Sequence, residues 1–164
     1  MLLHDIMRFF GIIIVIHLNM EFVKRQSTEK DKEFVYELSR TVYKDLVIKQ
    51  FGKWDEKWQR DYFEEKWKHS GYQIVEKCSR KIGAIWTTRH SNQILLKEIQ
   101  LLPEFQSQGI GTELIMEQLK TAREKNIPIR LQVLRYNRAR SWYEKHGFTV
   151  CGETDSHYLM ECIV

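Results

Sequence analysis

Phe105-Gln106-Ser107-Gln108-Gly109-Ile110-Gly111-Thr112-Glu113-Leu114-Ile115 joins a β-prone stretch to an amphipathic helix through a turn punctuated by two glycines. How the chain is built follows from that junction. Upstream, residues 93–102 read as a strand, which Pro103 closes because proline cannot donate to a sheet ladder. Downstream, Leu114, Ile115, Leu119 and Ala122 recur at helical spacing, with Glu113, Glu117, Lys120 and Glu124 on the other side, so a helix is expected to about Lys125. The unpaired N–H groups of its first turn and the positive end of its dipole make a seat for an anion. Neither Gly109 nor Gly111 has a Cβ to hold a phosphate away, so a diphosphate suits this seat. Taken alone, Gly-x-Gly reads equally well as a plain tight turn.

Two familiar phosphate loops are excluded. A Walker loop needs Gly-Lys-Ser/Thr after its spacer, and a dinucleotide fingerprint needs a third small residue where Leu114 stands. Gln106, Gly109 and Gly111 instead complete Gln-x-x-Gly-x-Gly, which resembles the acyl-CoA signature of the GNAT superfamily of N-acyltransferases. The likeness continues through Leu131-Gln132-Val133-Leu134-Arg135-Tyr136-Asn137 and then Ala139, Tyr143, Gly147 and Phe148. These are similar to the family's next strand, its Asn-to-Ala helix start and its Tyr-x-x-x-Gly-Phe ending. Trp54-Asp55-Glu56-Lys57-Trp58-Gln59-Arg60 and Gly152-Glu153-Thr154-Asp155-Ser156-His157-Tyr158 also resemble stretches of a bacterial branch of these acetyltransferases.

The resemblance implies an α/β fold, a three-layer sandwich whose central sheet is mixed and mostly antiparallel, with six to seven strands and about four flanking helices. It implies acetyl-CoA as co-substrate, lying between the strand that ends near Leu102 and the strand that ends near Tyr136. The backbone of Ile99 and Leu101 would then pair pantetheine and the thioester carbonyl. Amides of Gln106, Ser107, Gln108, Gly109, Ile110, Gly111 and Thr112 would hold the diphosphate, and Asn137 would add a side-chain contact. The reaction implied is direct attack by an amine in a ternary complex, without a covalent enzyme intermediate and without Cys78 as nucleophile.

Such a transfer needs a neutral amine, a stabilised oxyanion and a proton for the departing sulfur. Tyr143 matches the family's general acid, and a phenol of ordinary pKa about 10 can supply a thiolate of about 8.5. Against this, Ala139, Trp142, Tyr143 and His146 share one helical stripe, where an aromatic is often core. Glu98 is the candidate base, near the middle of the cofactor-facing strand; the plainer alternative is a surface residue paired with Lys97 or Arg89. The strand after the phosphate-facing helix offers Gln132, which cannot act as a base, so a water relay is the other route.

The remaining chain fits one domain. Its 164 residues are 43% apolar and 29% charged, enough for a core of its own, with two prolines and no linker-like or repeated tract. Residues 20–164 are expected to form the N-acetyltransferase domain. The apolar run at 9–18 is too short to span a membrane and lacks the flanks of a signal peptide, which points to a cytoplasmic protein. Met20 then reads as the authentic start and residues 1–19 as an upstream extension; the competing reading is an extra strand or a contact in a homodimer.

Cys78, Cys151 and Cys162 form no CxxC pair and read as reduced core thiols, and the histidines lack metal-site spacing, so no metal is expected. The net charge of +4 falls short of a nucleic-acid footprint, and Arg135, Arg138 and Arg140 read as partners for cofactor phosphates.

Periodicity places strands at 21–26, 71–77, 82–89, 128–136, 148–152 and 157–163. It places a helix opening at Ser27 or Thr28 and carrying Phe34, Val35, Leu38, Val42 and Leu46. A second helix follows at 55–67, and a last one, capped by Asn137 and ended by Gly147, reaches His146. Trp54, Trp58 and Tyr62, four apart, read as the packing face of the second helix. Acceptor choice falls to this region and the closing hairpin, where Asp55, Glu153 and Asp155 either recruit a cationic amine or serve as caps and turns. The acceptor is a small-molecule or peptide amine. Function from another class, a noncatalytic acyl-CoA-binding scaffold, would keep the phosphate turn and dispense with Tyr143.

Overall fold

The computed structural model describes residues 22–164. The expectations for residues 1–19 and for a start at Met20 lie outside them. In chain order the elements are β1 (Phe22–Gln26), α1 (Lys32–Phe51), α2 (Glu56–Lys68), β2 (Tyr72–Lys77), β3 (Arg80–Arg89), β4 (Ile94–Leu101), α3 (Ile110–Lys125), β5 (Ile129–Leu134), α4 (Ala139–Lys145), β6 (Thr149–Glu153) and β7 (His157–Cys162). The strands form one seven-stranded sheet in the order β1-β2-β3-β4-β5-β7-β6. Among the described strands only β4 and β5 run parallel, with α3 as the connection a parallel pair requires. Among the described residues this is the expected α/β sandwich, mixed and mostly antiparallel with four helices.

The central strands are buried on both faces, which is why they read as near-continuous apolar runs. Tyr72, Ile74, Ala84 and Trp86 pack with Val35, Leu38 and Phe63 of α1 and α2. On the other face, Val75, Ile85, Ile94 and Ile129 pack with Ile110, Leu114, Ile115 and Leu119 of α3. The helix ends follow local chemistry. Thr28 and Asp31 form a capping box before α1, Gly52 at φ 84° closes it in the left-handed conformation, and Asp55 caps α2 by accepting from the Trp58 N–H at 2.9 Å.

Asp31 is only 1% exposed, yet it is held by Arg25 at 2.7 and 2.9 Å and by Lys81 at 2.6 Å, tying β1, the start of α1 and β3 together. Its pKa lies well below the usual carboxylate range, chiefly through the Arg25 hydrogen bonds, with Lys81 and Thr28 adding to them against the cost of burial.

Three expectations about side chains need correction. Of the cysteines only Cys162 is buried. Cys78 and Ser79, at φ 49° and 62°, form the two-residue turn of the β2–β3 hairpin, so β3 begins at Arg80 and not at Ile82; two residues with positive φ suit the twist of such a hairpin. Cys151 lies on edge strand β6 where its register against β7 shifts. On α2 the core side is Phe63 with Trp67, packed on Tyr36 and Tyr72, while Trp58 and Tyr62 are 58% and 54% exposed and stack on one another at 5.2 Å. Both sides of α2 carry aromatics at helical spacing, so periodicity alone chose the wrong one.

Candidate active site

Strands β4 and β5 pair through only three positions, Ile94 with Ile129, Leu95 with Arg130 and Leu96 with Leu131. Beyond them the sheet splits. The register of β4 against β3 runs Trp86 to Glu98 and Thr87 to Leu96, so Lys97 is an extra residue that bends β4 away. Backbone groups facing β5 beyond the bend have no ladder partner there. A cavity of about 550 Å³ fills the fork, lined by Ile99, Leu101, Gln106, Ser107, Gly109, Gly111, Thr112, Asn137 and Tyr143, with Glu98 at its inner end.

The turn before α3 is built as a backbone cradle. Ser107 and Gly109 both adopt positive φ, 57° and 86°, and no side chain caps α3. The first intrahelical bond is that of the Glu113 N–H to the Gly109 carbonyl at 3.0 Å, so the amides of Ile110, Gly111 and Thr112 precede the helical ladder. A Cβ at Gly109 would meet nothing within 4 Å, whereas one at Gly111 would stand 3.5 Å from the Trp142 ring. Open space over uncapped amides is what an anion requires.

Side chains there have other tasks. The Gln106 amide donates to the Leu101 carbonyl at 2.9 Å and pins the turn to the end of β4; Gln108 donates to the Glu104 carbonyl, away from the cavity; and Ile110 is wholly buried in the core. Asn137 accepts from the Ala139 N–H at 2.9 Å, which opens α4 and leaves its side-chain NH2 for the cavity.

Tyr143 is 7% exposed, set edge-on to Phe148 at 5.5 Å, and its hydroxyl makes no hydrogen bond among the described residues. Burial pushes the phenol's pKa up, so it stays protonated throughout the neutral range. Glu98 is half-buried and takes three donors: the Tyr72 hydroxyl at 2.5 Å, the Gln100 amide at 2.7 Å and the Lys66 ammonium. Its charge partner is therefore Lys66 of α2, and neither Lys97 nor Arg89. Gln100, 2% exposed, accepts in turn from Ser39 of α1 at 3.0 Å. The Tyr43 phenol is pushed up by burial first and then by the Glu98 charge.

A second cavity, of about 290 Å³, opens on the other side of Glu98 between α1, α2 and the ends of β5 and β7. It shares Tyr43, Lys97, Glu98, Gln132, Val133 and Asn137 with the first, so the two join at the fork. His157 lines it, with Nδ1 2.8 Å from the Ser156 hydroxyl, and burial pushes its pKa down, keeping the ring neutral at neutral pH. Gln50 of α1 donates to the Ser156 carbonyl at 2.8 Å and ties that helix to the turn between β6 and β7.

Periodicity in the sequence missed Tyr43, Ser39, Lys66 and His157. Tyr36, Ser39, Tyr43 and Val47 do form a second helical stripe beside the apolar one on α1, which was the available signal. Of the three clustered arginines only Arg138 lines the first cavity. Arg135 pairs with Glu153 and both Arg135 and Arg140 lie over the Tyr158 ring, because the β6–β7 hairpin folds back onto them. Asp55 and Glu153 thus serve as a cap and an ion-pair partner, and neither lines the second cavity.

Residues 68–150 match the family model of the acetyltransferase (GNAT) domain, which is half of the chain. The chain belongs to the GNAT acetyltransferases. Enzymes of this family take their acetyl group from acetyl-CoA. Among solved GNAT structures it is similar to PaiA N-acetyltransferase from Thermoplasma acidophilum, crystallised with coenzyme A, at 25% identity and TM-score 0.72 over 88% of this chain and 100% of that one. It shares the fold of the ribosomal-protein-S18-alanine N-acetyltransferase from Escherichia coli, at 15% identity and TM-score 0.61 over 87% of this chain and 93% of that one. It also shares the fold of Naa50 from Arabidopsis thaliana, in complex with the bisubstrate analogue CoA-Ac-MVNAL, at 16% identity and TM-score 0.60 over 85% and 97% of the two chains. No curated protein sequence matches the chain significantly. No helix among the described residues is long and apolar enough to cross a membrane.

Proposed function

We propose that this GNAT protein transfers an acetyl group to a primary amine by direct attack in a ternary complex, and that the fork between β4 and β5 is where the two substrates meet. The observation that carries this reading is the pair of cavities joined at Glu98, one ending on the uncapped amides of α3 and the other walled by α1, α2 and His157. Bound acetyl-CoA would supply the thioester. The amides of residues 106–112 would hold its diphosphate, the backbone of Ile99 and Leu101 its pantetheine and thioester carbonyl, and the Asn137 amide would add a contact.

As the amine nitrogen bonds to the carbonyl carbon and the C–S bond breaks, the Tyr143 hydroxyl gives its proton to the sulfur. Burial raises the pKa of the phenol, and the same dry surroundings raise that of a thiolate beside it, so the two remain matched for transfer. The amine's proton leaves toward Glu98 through a water. Three donors already surround that carboxylate, which suits a relay through water better than direct contact with the amine. His157, neutral and across the second cavity, is the alternative proton acceptor.

Amine acceptors ranging from small molecules to peptide termini fit an opening of this kind. A panel of both, read as thiol release from acetyl-CoA, tests the proposal. Release above the rate without amine supports it. Binding of coenzyme A with no release from any amine would favour the noncatalytic acyl-CoA-binding scaffold instead.

A further inference from the structure

The bulge in β4 sets Lys97 where three cavities meet. It lines the cofactor arm, the acceptor arm, and a third cavity of about 770 Å³ that continues over the face of β5 and β7. The other cations around the acceptor side carry counter-charges: Arg40 is 2.8 Å from Glu56, Lys66 is paired with Glu98, and Arg130 is 3.1 Å from Glu161. Lys97 is exposed, and among the described residues no carboxylate lies within ion-pair distance of it. Glu98 is the one carboxylate among the residues lining the acceptor arm, and Lys66 already neutralises it. The acceptor arm therefore holds one uncompensated positive charge, that of Lys97, next to where the amine must react, while Arg138, which also lacks an ion pair among the described residues, lines only the cofactor arm.

Resting on the acetyl-transfer reading of this site, we infer that the acceptor is an amine that also bears a carboxylate, which pairs with Lys97. A free amino acid or a peptide with an acidic residue just after its terminus supplies that chemistry. A diamine would bring a second ammonium against the Lys97 ammonium, and like charges at that range oppose binding.

The test compares kcat/KM within matched pairs: an amino acid against its amide, an Ala-Asp pentapeptide against its Ala-Asn counterpart, and a linear diamine alongside. Wild type should prefer the carboxylate member of at least one pair by about tenfold, the ratio that about 1.4 kcal/mol produces. Lys97→Met should abolish the preference and Lys97→Glu should reverse it. The readout is a ratio within one protein, so a variant of lower overall turnover still reports, and circular dichroism melting checks that each variant is folded. Preference in the amino-acid pair assigns a free amino acid, and preference confined to the peptide pair assigns a chain terminus. Equal rates within both pairs, acetylation confined to amines without a carboxylate, or a ratio unchanged in Lys97→Met would overturn the inference. Release of thiol with none of the amines would instead overturn the transferase reading on which it rests.

Discussion

Replacing Tyr143 by phenylalanine removes one hydroxyl and keeps the ring that packs against Phe148 and Trp142. Because that hydroxyl has no hydrogen-bond partner among the described residues, its loss strands no other polar group, and folding stability should change by less than about 0.5 kcal/mol. Catalysis should respond very differently. A positioned general acid is worth roughly 10²- to 10⁴-fold, or about 2.7 to 5.4 kcal/mol of barrier at 1.36 kcal/mol per decade. The measurement is single-turnover thiol release at saturating acetyl-CoA, which isolates chemistry from product release, with coenzyme A affinity measured by calorimetry. We expect a loss of at least tenfold in the rate, a coenzyme A Kd within a factor of two, and a relative rate that recovers for acyl donors whose thiol leaves more readily. A single-turnover rate within about threefold of wild type would refute the assignment, and with it the idea that the sulfur departs toward α4.

Glu98→Gln removes the charge that Lys66 and Tyr72 share; turnover should fall about 10- to 100-fold, and stability by about 1 to 3 kcal/mol in urea unfolding, because a half-buried ammonium loses its partner. For Asp31, Arg25 and Lys81 depress the folded-state pKa below the unfolded value of about 3.9, so its stabilisation is complete above that pH and is lost as pH falls toward the folded value. Asp31→Asn should therefore cost about 3 kcal/mol between pH 5 and 8, and the gap to wild type should narrow steadily below about pH 4; a gap independent of pH would contradict this. Gly109→Ala places a Cβ in open space at φ 86°, so it should cost about 1 kcal/mol in stability from backbone strain, and weaken coenzyme A binding at least tenfold by standing where the diphosphate sits. Unchanged affinity in that variant would remove the diphosphate from the turn.

Local chemistry made much of this molecule legible in advance. The turn at Gly109, the amphipathic stripe of α3, the Asn137 cap and the Gly147 stop act over a few residues, so the order of strands and helices could be read from spacing and backbone freedom. Tyr143, one turn before the glycine that follows α4, stood out through the family's Tyr-x-x-x-Gly-Phe ending, since the helical stripe alone reads it as core. Periodicity failed where two stripes competed, as on α2, because helical spacing says which residues share a side and not which side meets the sheet.

The charge pairing around the second cavity was beyond the reach of any such pattern. Lys66 and Tyr72 lie 32 and 26 positions from Glu98, and they converge on it only because α2 crosses β2, β3 and β4. The bulge that exposes Lys97 is a mismatch in register between two strands, and neither strand encodes it alone. Short-range backbone preference thus settled the elements and the glycine turn before α3, whereas long-range packing settled which charges are paired, because those partners meet only in the folded chain.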